Sequence, residues 1–232
     1  MERKKFLKQG LMAVGSIVAI PTLLTQCKET GTDASSGSGS CITSPGETKG
    51  PFPIMTPSQL VMANIKSDRT GVALLMNLSI KNKNNNCSAL QNVLVDVWHC
   101  DKDGNYSEYG GTAMQATNYQ AVHFLRGRQT TDANGQVSFI SIYPGWYSGR
   151  APHIHVEVLT ASGSSLLVTQ IAFPENISST VYASSLYAAH GEANTSNVSD
   201  NVFSDSLAAE LATVTGNITD GFTLTKEIIV SA

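Results

Sequence analysis

The chain has 232 residues, with 15 Lys+Arg against 18 Asp+Glu, a net charge of −3, and 41% hydrophobic but only 14% charged residues. That balance excludes a charged disordered chain, and 19 Gly with 8 Pro exclude a collagen-like one. No Lys/Arg block lies beyond the first eight residues, so the basic face of a nucleic-acid-binding protein is missing and no nucleic-acid partner is expected.

Arg3, Lys4, Lys5 and Lys8 precede an apolar run from Gly10 to Leu24, broken by Pro21, which has the outline of an export signal. The run is shorter and more interrupted than the ~20 apolar residues a spanning helix needs. It ends Leu24-Thr25-Gln26-Cys27, which resembles the lipobox of bacterial lipoproteins, although Gln26 stands where a small residue is usual. The stretch Arg3 to Lys8 also resembles a twin-arginine signal with Lys in place of the second Arg, so both export routes stay open. The expectation is a signal over residues 1–26 and membrane attachment through a lipidated Cys27, placing the protein in a bacterial periplasm or on a membrane facing it. Residues 27–40 are small and polar and read as a flexible tether. Without residues 1–26 the balance is 11 basic against 17 acidic residues, net −6, and residues 41–232 suffice for one domain.

Cys41, Cys87 and Cys100 remain, an odd number for an oxidising compartment. Cys87 and Cys100 bracket the run Leu90 to Trp98, which as a strand at ~3.3 Å per residue would hold them too far apart to bond. Cys41 can reach either one, with Cys87 preferred.

After the Pro-stiffened Gly50-Pro51-Phe52-Pro53, the alternation from Val72 to Ile80 predicts a strand, and Lys81 to Asn86 a polar turn. Val93 to His99 predicts a second strand, followed by turn residues Asp101 to Asn105, an irregular stretch 107–121 and a third extended piece, Phe124 to Thr130. Asn134-Gly135 favours a tight hairpin into a strand through Val137, Phe139 and Ile142. Pro152 to Val158 and Leu166 to Phe173 read as strands joined by a turn at Ser162 to Ser165, and Gly221 to Val230 as a closing strand. Only Thr180 to His190 and Ser204 to Leu211 look helical. About seven strands with no βαβ rhythm predict an all-β fold, an antiparallel β-sandwich with short peripheral helices.

The chemistry concentrates in Pro144-Gly145-Trp146-Tyr147-Ser148-Gly149-Arg150-Ala151-Pro152-His153-Ile154-His155. Side chains alternate along a strand, so His153 and His155 share one face and Ile154, Val156 and Val158 take the other. Two imidazoles on a buried face need a metal, a partner or water. Tyr147 lies in the turn just upstream, and Tyr106 follows the turn after the Trp98 strand, where a rigid sandwich displays functional groups.

Four motifs in order, Val95-Asp96-Val97-Trp98-His99 through Gly104-Asn105-Tyr106-Ser107, Phe124-Leu125-Arg126-Gly127 through Gly135, Pro144-Gly145-Trp146-Tyr147 with Gly149-Arg150, and His153-Ile154-His155, resemble the intradiol ring-cleavage dioxygenases. That family includes catechol 1,2-dioxygenase and protocatechuate 3,4-dioxygenase, and the resemblance spans roughly Cys41 to Val230. It implies a mononuclear non-haem Fe(III) held by Tyr106, Tyr147, His153 and His155, with Tyr106 staying bound and Tyr147 leaving as substrate arrives. It further implies Arg150 against the substrate ring and Gln170 near the iron. The reaction implied takes a small aromatic diol and O2 to a muconate-type diacid, with the ferric ion as Lewis acid and template. Phenolates are hard anionic donors suited to a ferric ion, which must pull their pKa down from about 10 for them to ligate at neutral pH.

The long helical N-terminal segment of the catechol 1,2-dioxygenases has no counterpart here, so their dimer interface is not carried over and the oligomeric state stays open. Cys100 is unusual for the cytosolic members of that family and reads as a disulfide partner or a space-filling residue, and His99, His123 and His190 read as structural. Two other readings stand beside the enzyme. One is an exported sandwich that binds a sugar or peptide, which has no need of all four donors. The other is a His-x-His zinc hydrolase, for which no convincing third ligand or base lies near the pair.

Overall fold

The computed structural model describes residues 41–232. The export signal, the tether and the lipidation site at Cys27 fall outside the described residues. Nine strands run in the order β1 (Ala73–Asn82), β2 (Ser88–Ala89), β3 (Leu94–Trp98), β4 (Arg126–Thr130), β5 (Gln136–Ile142), β6 (His153–Leu159), β7 (Ser165–Ala172), β8 (Thr213–Asn217) and β9 (Gly221–Val230). Two short helices, α1 (Glu175–Tyr182) and α2 (Leu207–Glu210), lie between β7 and β8.

The strands form two sheets. One has the order β4-β3-β6-β7, all antiparallel, and the other β2-β1-β9-β8 with β5 also paired to β1. The sandwich expected from the alternation is present, with one departure: β9 returns parallel to β1, pairing Leu74 with Phe222 and Ile80 with Ile228. Alternation sets which face is buried, whereas strand direction is set by how the chain returns. Met76, Leu78 and Ile80 of β1, Val95 and Val97 of β3, and Ile154, Val156 and Val158 of β6 are fully buried in the core between the sheets. Each such side chain contributes about 1.5–3 kcal/mol on burial.

Three expectations are corrected. The turn at Asp132 to Gly135 forms, with the Asp132 carboxylate accepting the Asn134 and Gln136 amides at 2.8 Å, yet it makes no hairpin. β4 continues in one sheet and β5 in the other, so the turn is a corner of the sandwich. The helix expected over 180–190 lies earlier, at Glu175–Tyr182, and residues beyond it turn without continuing it. β8 was not expected at all, because only Val214 of its five residues is buried and no alternation shows.

A segment with no strand of its own closes the side between the sheets. The Arg128 amide donates to Leu60 O at 2.8 Å and the Ile140 amide to Ala63 O at 2.8 Å, so residues 60–65 bridge β4 and β5. Cys41 is bonded to Cys87, as preferred from sequence, and Cys100 is a free, buried thiol. The bond fastens the start of an extended segment, residues 41–56, that crosses the outer face of β6. Every residue of β6 is therefore buried, including its outward-facing His153, His155 and Glu157. Glu157 is sealed by Lys49 Nζ at 2.6 Å.

Candidate active site

β6 presents His153 and His155 on its outward face, as the alternation requires. Their Nε2 atoms lie 3.2 Å apart, and the Tyr106 hydroxyl lies 3.3 Å from His153 Nε2. The Tyr147 ring meets the His153 ring edge-on at 5.5 Å and the Tyr106 ring at 5.9 Å. Four side chains from three segments thus converge.

Three of the four are held from behind. His153 Nδ1 donates to Ala151 O at 2.7 Å, which leaves the lone pair on Nε2. The imidazole of His155 stacks on Trp98, its cross-strand neighbour, at 4.9 Å with the rings parallel to 1°. On its other side Gly50 approaches so closely that a Cβ there would lie 2.9 Å from His155 Cε1. Buried His155 Nδ1 has no protein partner. Burial, with Arg150 nearby, holds His153 down to about 3, and burial with His153 beside it holds His155 well below its ordinary value. Both imidazoles are therefore neutral at working pH, as ligation requires.

Tyr106 hangs from a built loop. The Asp101 carboxylate accepts the Asp103 and Asn105 amides at 3.0 and 2.9 Å. Buried Gln115 then clamps Tyr106 itself: its Oε1 accepts the Tyr106 amide at 2.7 Å and its Nε2 donates to Tyr106 O at 2.8 Å. The two tyrosine-bearing turns abut because Gly104 and Gly145 sit where they touch. A Cβ on Gly104, whose φ is +83°, would lie 2.2 Å from Trp146 O, and one on Gly145 2.6 Å from Asp101 O. Phe52 covers the pair, stacking on Tyr106 at 4.7 Å and meeting Tyr147 edge-on at 5.9 Å. Burial raises both phenols above 10, Tyr106 furthest because it is wholly enclosed and lies near Cys100 and Tyr147; Arg150 partly offsets this at Tyr147. A cation in the cluster would be needed to draw either proton off.

Arg150 lies beside Tyr147, its Nη1 3.5 Å from the phenol oxygen. Its Nε donates to Asp200 at 2.8 Å and its Nη2 to Gln170 Oε1 at 2.6 Å, and Gln170 in turn donates to Thr48 O at 2.9 Å. Gln170 is paired across from His155, but its amide is spent on Arg150 and the 41–56 segment. The structure therefore brings together Tyr106, Tyr147, His153, His155 and Arg150, with Gln170 behind Arg150. Sequence reasoning missed Asp200, Gln115 and Phe52. Asp200 and Gln115 lie in irregular stretches with no periodic signal, and only the Pro-rich frame of Phe52 marked it as unusual. His99 is structural, its Nδ1 donating to Cys100 O at 2.8 Å and its Nε2 accepting from Ser141 Oγ at 2.7 Å.

The donor set is two phenols and two imidazoles. Among the described residues no group of three or more His, Cys, Asp or Glu comes together as a metal site. Two facing imidazole nitrogens and two hard phenol oxygens fit a ferric ion.

An all-β sandwich carries a two-tyrosine, two-histidine cluster beside an arginine, and the comparisons point to a family of dioxygenases. The family profile described as Dioxygenase matches residues 52–212. A chlorocatechol 1,2-dioxygenase of Rhodococcus opacus is 28% identical over 192 residues, 71% of this chain and 69% of that protein. An intradiol ring-cleavage dioxygenase of Tetranychus urticae superposes with a TM-score of 0.73 at 27% identity, covering 82% of this chain and 95% of that one. The dioxygenase domain of a dioxygenase carbohydrate-binding protein fusion from Streptomyces sp. SirexAA-E superposes with a TM-score of 0.58 at 26% identity, covering 82% and 99%. The chain belongs to the intradiol ring-cleavage dioxygenase family.

Proposed function

We propose that the protein is a mononuclear non-haem Fe(III) enzyme that opens a catechol-type ring between its two hydroxyl-bearing carbons. Both atoms of O2 enter the muconate-type product. Tyr106, Tyr147, His153 and His155 would hold the ion. The observation that carries this reading is the convergence of those four donors, three of them fixed by their own partners and Tyr147 at the rim. When bound, the ferric ion supplies a Lewis-acidic centre at which the diol is held and made susceptible to O2.

The chain's own residues divide the remaining work. Tyr106, wholly buried and clamped by Gln115, has no room to leave. Tyr147 is half-buried at the rim, its hydroxyl bonded to nothing stronger than Arg150 at 3.5 Å, so it can swing aside and take a proton from the incoming diol. Arg150, oriented by Asp200 and Gln170, places a fixed cation where negative charge on the diol oxygens must be stabilised. Phe52 and Trp98 line the cluster with apolar surface and exclude water.

The test is a visible absorption spectrum of the iron-loaded protein before and after anaerobic addition of catechol. A red-brown tyrosinate-to-iron band that shifts with the diol is expected; a colourless protein that holds no iron overturns the reading. We also propose that the protein is exported and anchored through Cys27. The Cys41–Cys87 disulfide supports an oxidising compartment. Mass spectrometry of the mature N-terminus tests the anchor: a diacylated Cys27 is expected, and an unmodified one refutes it.

A further inference from the structure

The motif Phe124-Leu125-Arg126-Gly127 brings to the site a second arginine, which the ring-cleavage reading leaves without a task. Arg126 opens β4 and is paired across from Trp98, which is itself paired across from His155, so the three share the outward row that meets the cluster. The Arg126 side chain is wholly buried, where each of its donors needs a partner. Nη1 donates to Phe52 O at 3.0 Å, Nη2 to Ser107 O at 2.6 Å and Nε to Ser107 Oγ at 2.9 Å, while the Glu108 carboxylate lies 3.4 Å from Nε.

Those partners belong to two stretches far apart in the chain. Ser107 and Glu108 follow Tyr106 directly, whereas Phe52 lies in the segment that covers β6, and its ring is the one stacked on Tyr106 at 4.7 Å. The guanidinium carbon stands 5.7 Å from the centre of the Tyr106 ring. Beyond Phe52 the cover is fastened to the same stretch: the Tyr109 hydroxyl donates to Pro53 O at 2.8 Å, and Glu108 accepts from the Met55 amide at 2.8 Å and the Thr56 hydroxyl at 3.2 Å. Tyr147 has no such frame. It meets Phe52 edge-on at 5.9 Å and Arg150 Nη1 at 3.5 Å.

We infer that Arg126 is a positioning residue: its guanidinium locks Phe52 over Tyr106, and this makes Tyr106 the phenol that stays and Tyr147 the one that leaves. The inference rests on the ferric ring-cleavage reading above and supplies the reason for the unequal roles of its two tyrosines. A guanidinium suits the task because its planar fork reaches carbonyls of two segments at once, whereas an ammonium on a flexible stem is a point charge that serves one. With Phe52 held against its ring, the Tyr106 oxygen is shut off from water that would otherwise donate to it and weaken it as a ligand.

The test compares, in the full chain, Arg126→Lys, which keeps the charge opposite Glu108 and loses the fork, Phe52→Val, which loses the stacked ring and keeps the carbonyl that Arg126 binds, and the double variant. In the metal-free protein, hydrogen exchange of the Met55 amide should quicken about tenfold in Arg126→Lys, the opening that one weakened buried hydrogen bond allows. In the iron-loaded protein with catechol bound anaerobically, the tyrosinate-to-iron band that remains belongs to Tyr106. It should move to shorter wavelength in both single variants as water reaches the phenolate, and the double variant should move it no further than Phe52→Val alone. Additive shifts overturn the inference, as does a band that Arg126→Lys leaves in place while its urea midpoint falls, which is the signature of a merely structural arginine. An unmoved band in Phe52→Val, where Arg126 and its partners are intact, overturns it as well. A parent protein whose spectrum does not respond to catechol removes the ring-cleavage reading instead, and the exchange result then still decides whether Arg126 holds the cover.

Discussion

Tyr147 and His155 occupy opposite situations in the cluster, and their substitutions should separate accordingly. Tyr147 is held by packing at the rim, so Tyr147→Phe should keep iron close to one per chain, change the colour and slow diol binding; an unchanged spectrum would remove Tyr147 from the ligand set. His155 is fixed between Trp98 and Gly50 with no freedom to be replaced by a neighbour. His155→Ala should abolish stoichiometric iron, read by elemental analysis. At this scale the sequence was informative for the donors and silent about their supports. A His-x-His on a strand carries its own geometry, because alternation alone puts both rings on one face. Asp200 and Gln115 act through contacts that join distant stretches, and nothing local distinguishes them from a surface Asp or Gln.

Among the elements, the two tyrosine-bearing turns illustrate how backbone freedom becomes site geometry. Gly104 combines a φ of +83° with a carbonyl, Trp146 O, where its side chain would go. Gly149 has a φ of +87° with open space around it. Gly149→Ala should therefore lose only about 1 kcal/mol, the strain of the left-handed region, whereas Gly104→Ala should lose about 3 kcal/mol or more and displace the Tyr106 loop. Urea midpoints and iron uptake measured together check this: equal losses for both variants would show that the turns do not need their close approach. The Asp-x-x-Gly turn at 132–135 teaches the complementary lesson. Its local chemistry was legible and its residues form the turn, but a turn specifies only the reversal, and whether its strands pair is decided by which sheet offers each a partner.

For the molecule as a whole, the Cys41–Cys87 bond ties the segment that covers β6 to the opposite sheet. Its residues are 46 apart, and closing a loop of that length removes chain entropy worth about 4 kcal/mol. The double variant Cys41→Ser with Cys87→Ser should lower stability by up to that amount in denaturant titration, and a change of under about 0.5 kcal/mol would show the segment is held by its other contacts alone. Glu210 provides a pH signature. Burial raises it from 4.5 to about 7, so the folded chain binds this proton more tightly than the unfolded one. Its contribution to stability is therefore full below pH 4.5, falls as the pH rises toward 7 and stays lost above it. Glu210→Gln should remove that decline, making the variant more stable than the parent at pH 8 and similar at pH 4; identical urea midpoints at both pH values would refute the assignment.

The sequence by itself determined the sandwich, the inward faces of its strands and the shared face of His153 and His155, because these follow from local periodicity. The limited reach of a disulfide excluded only the Cys87–Cys100 pair, and the structure decided between Cys87 and Cys100 as the partner of Cys41. Only the tertiary structure decided that β9 runs parallel to β1, that the outward face of β6 is buried beneath residues 41–56, and that Arg150 is oriented by Asp200. Each of these depends on contacts between segments far apart in the chain, and such contacts leave no periodic trace in either partner.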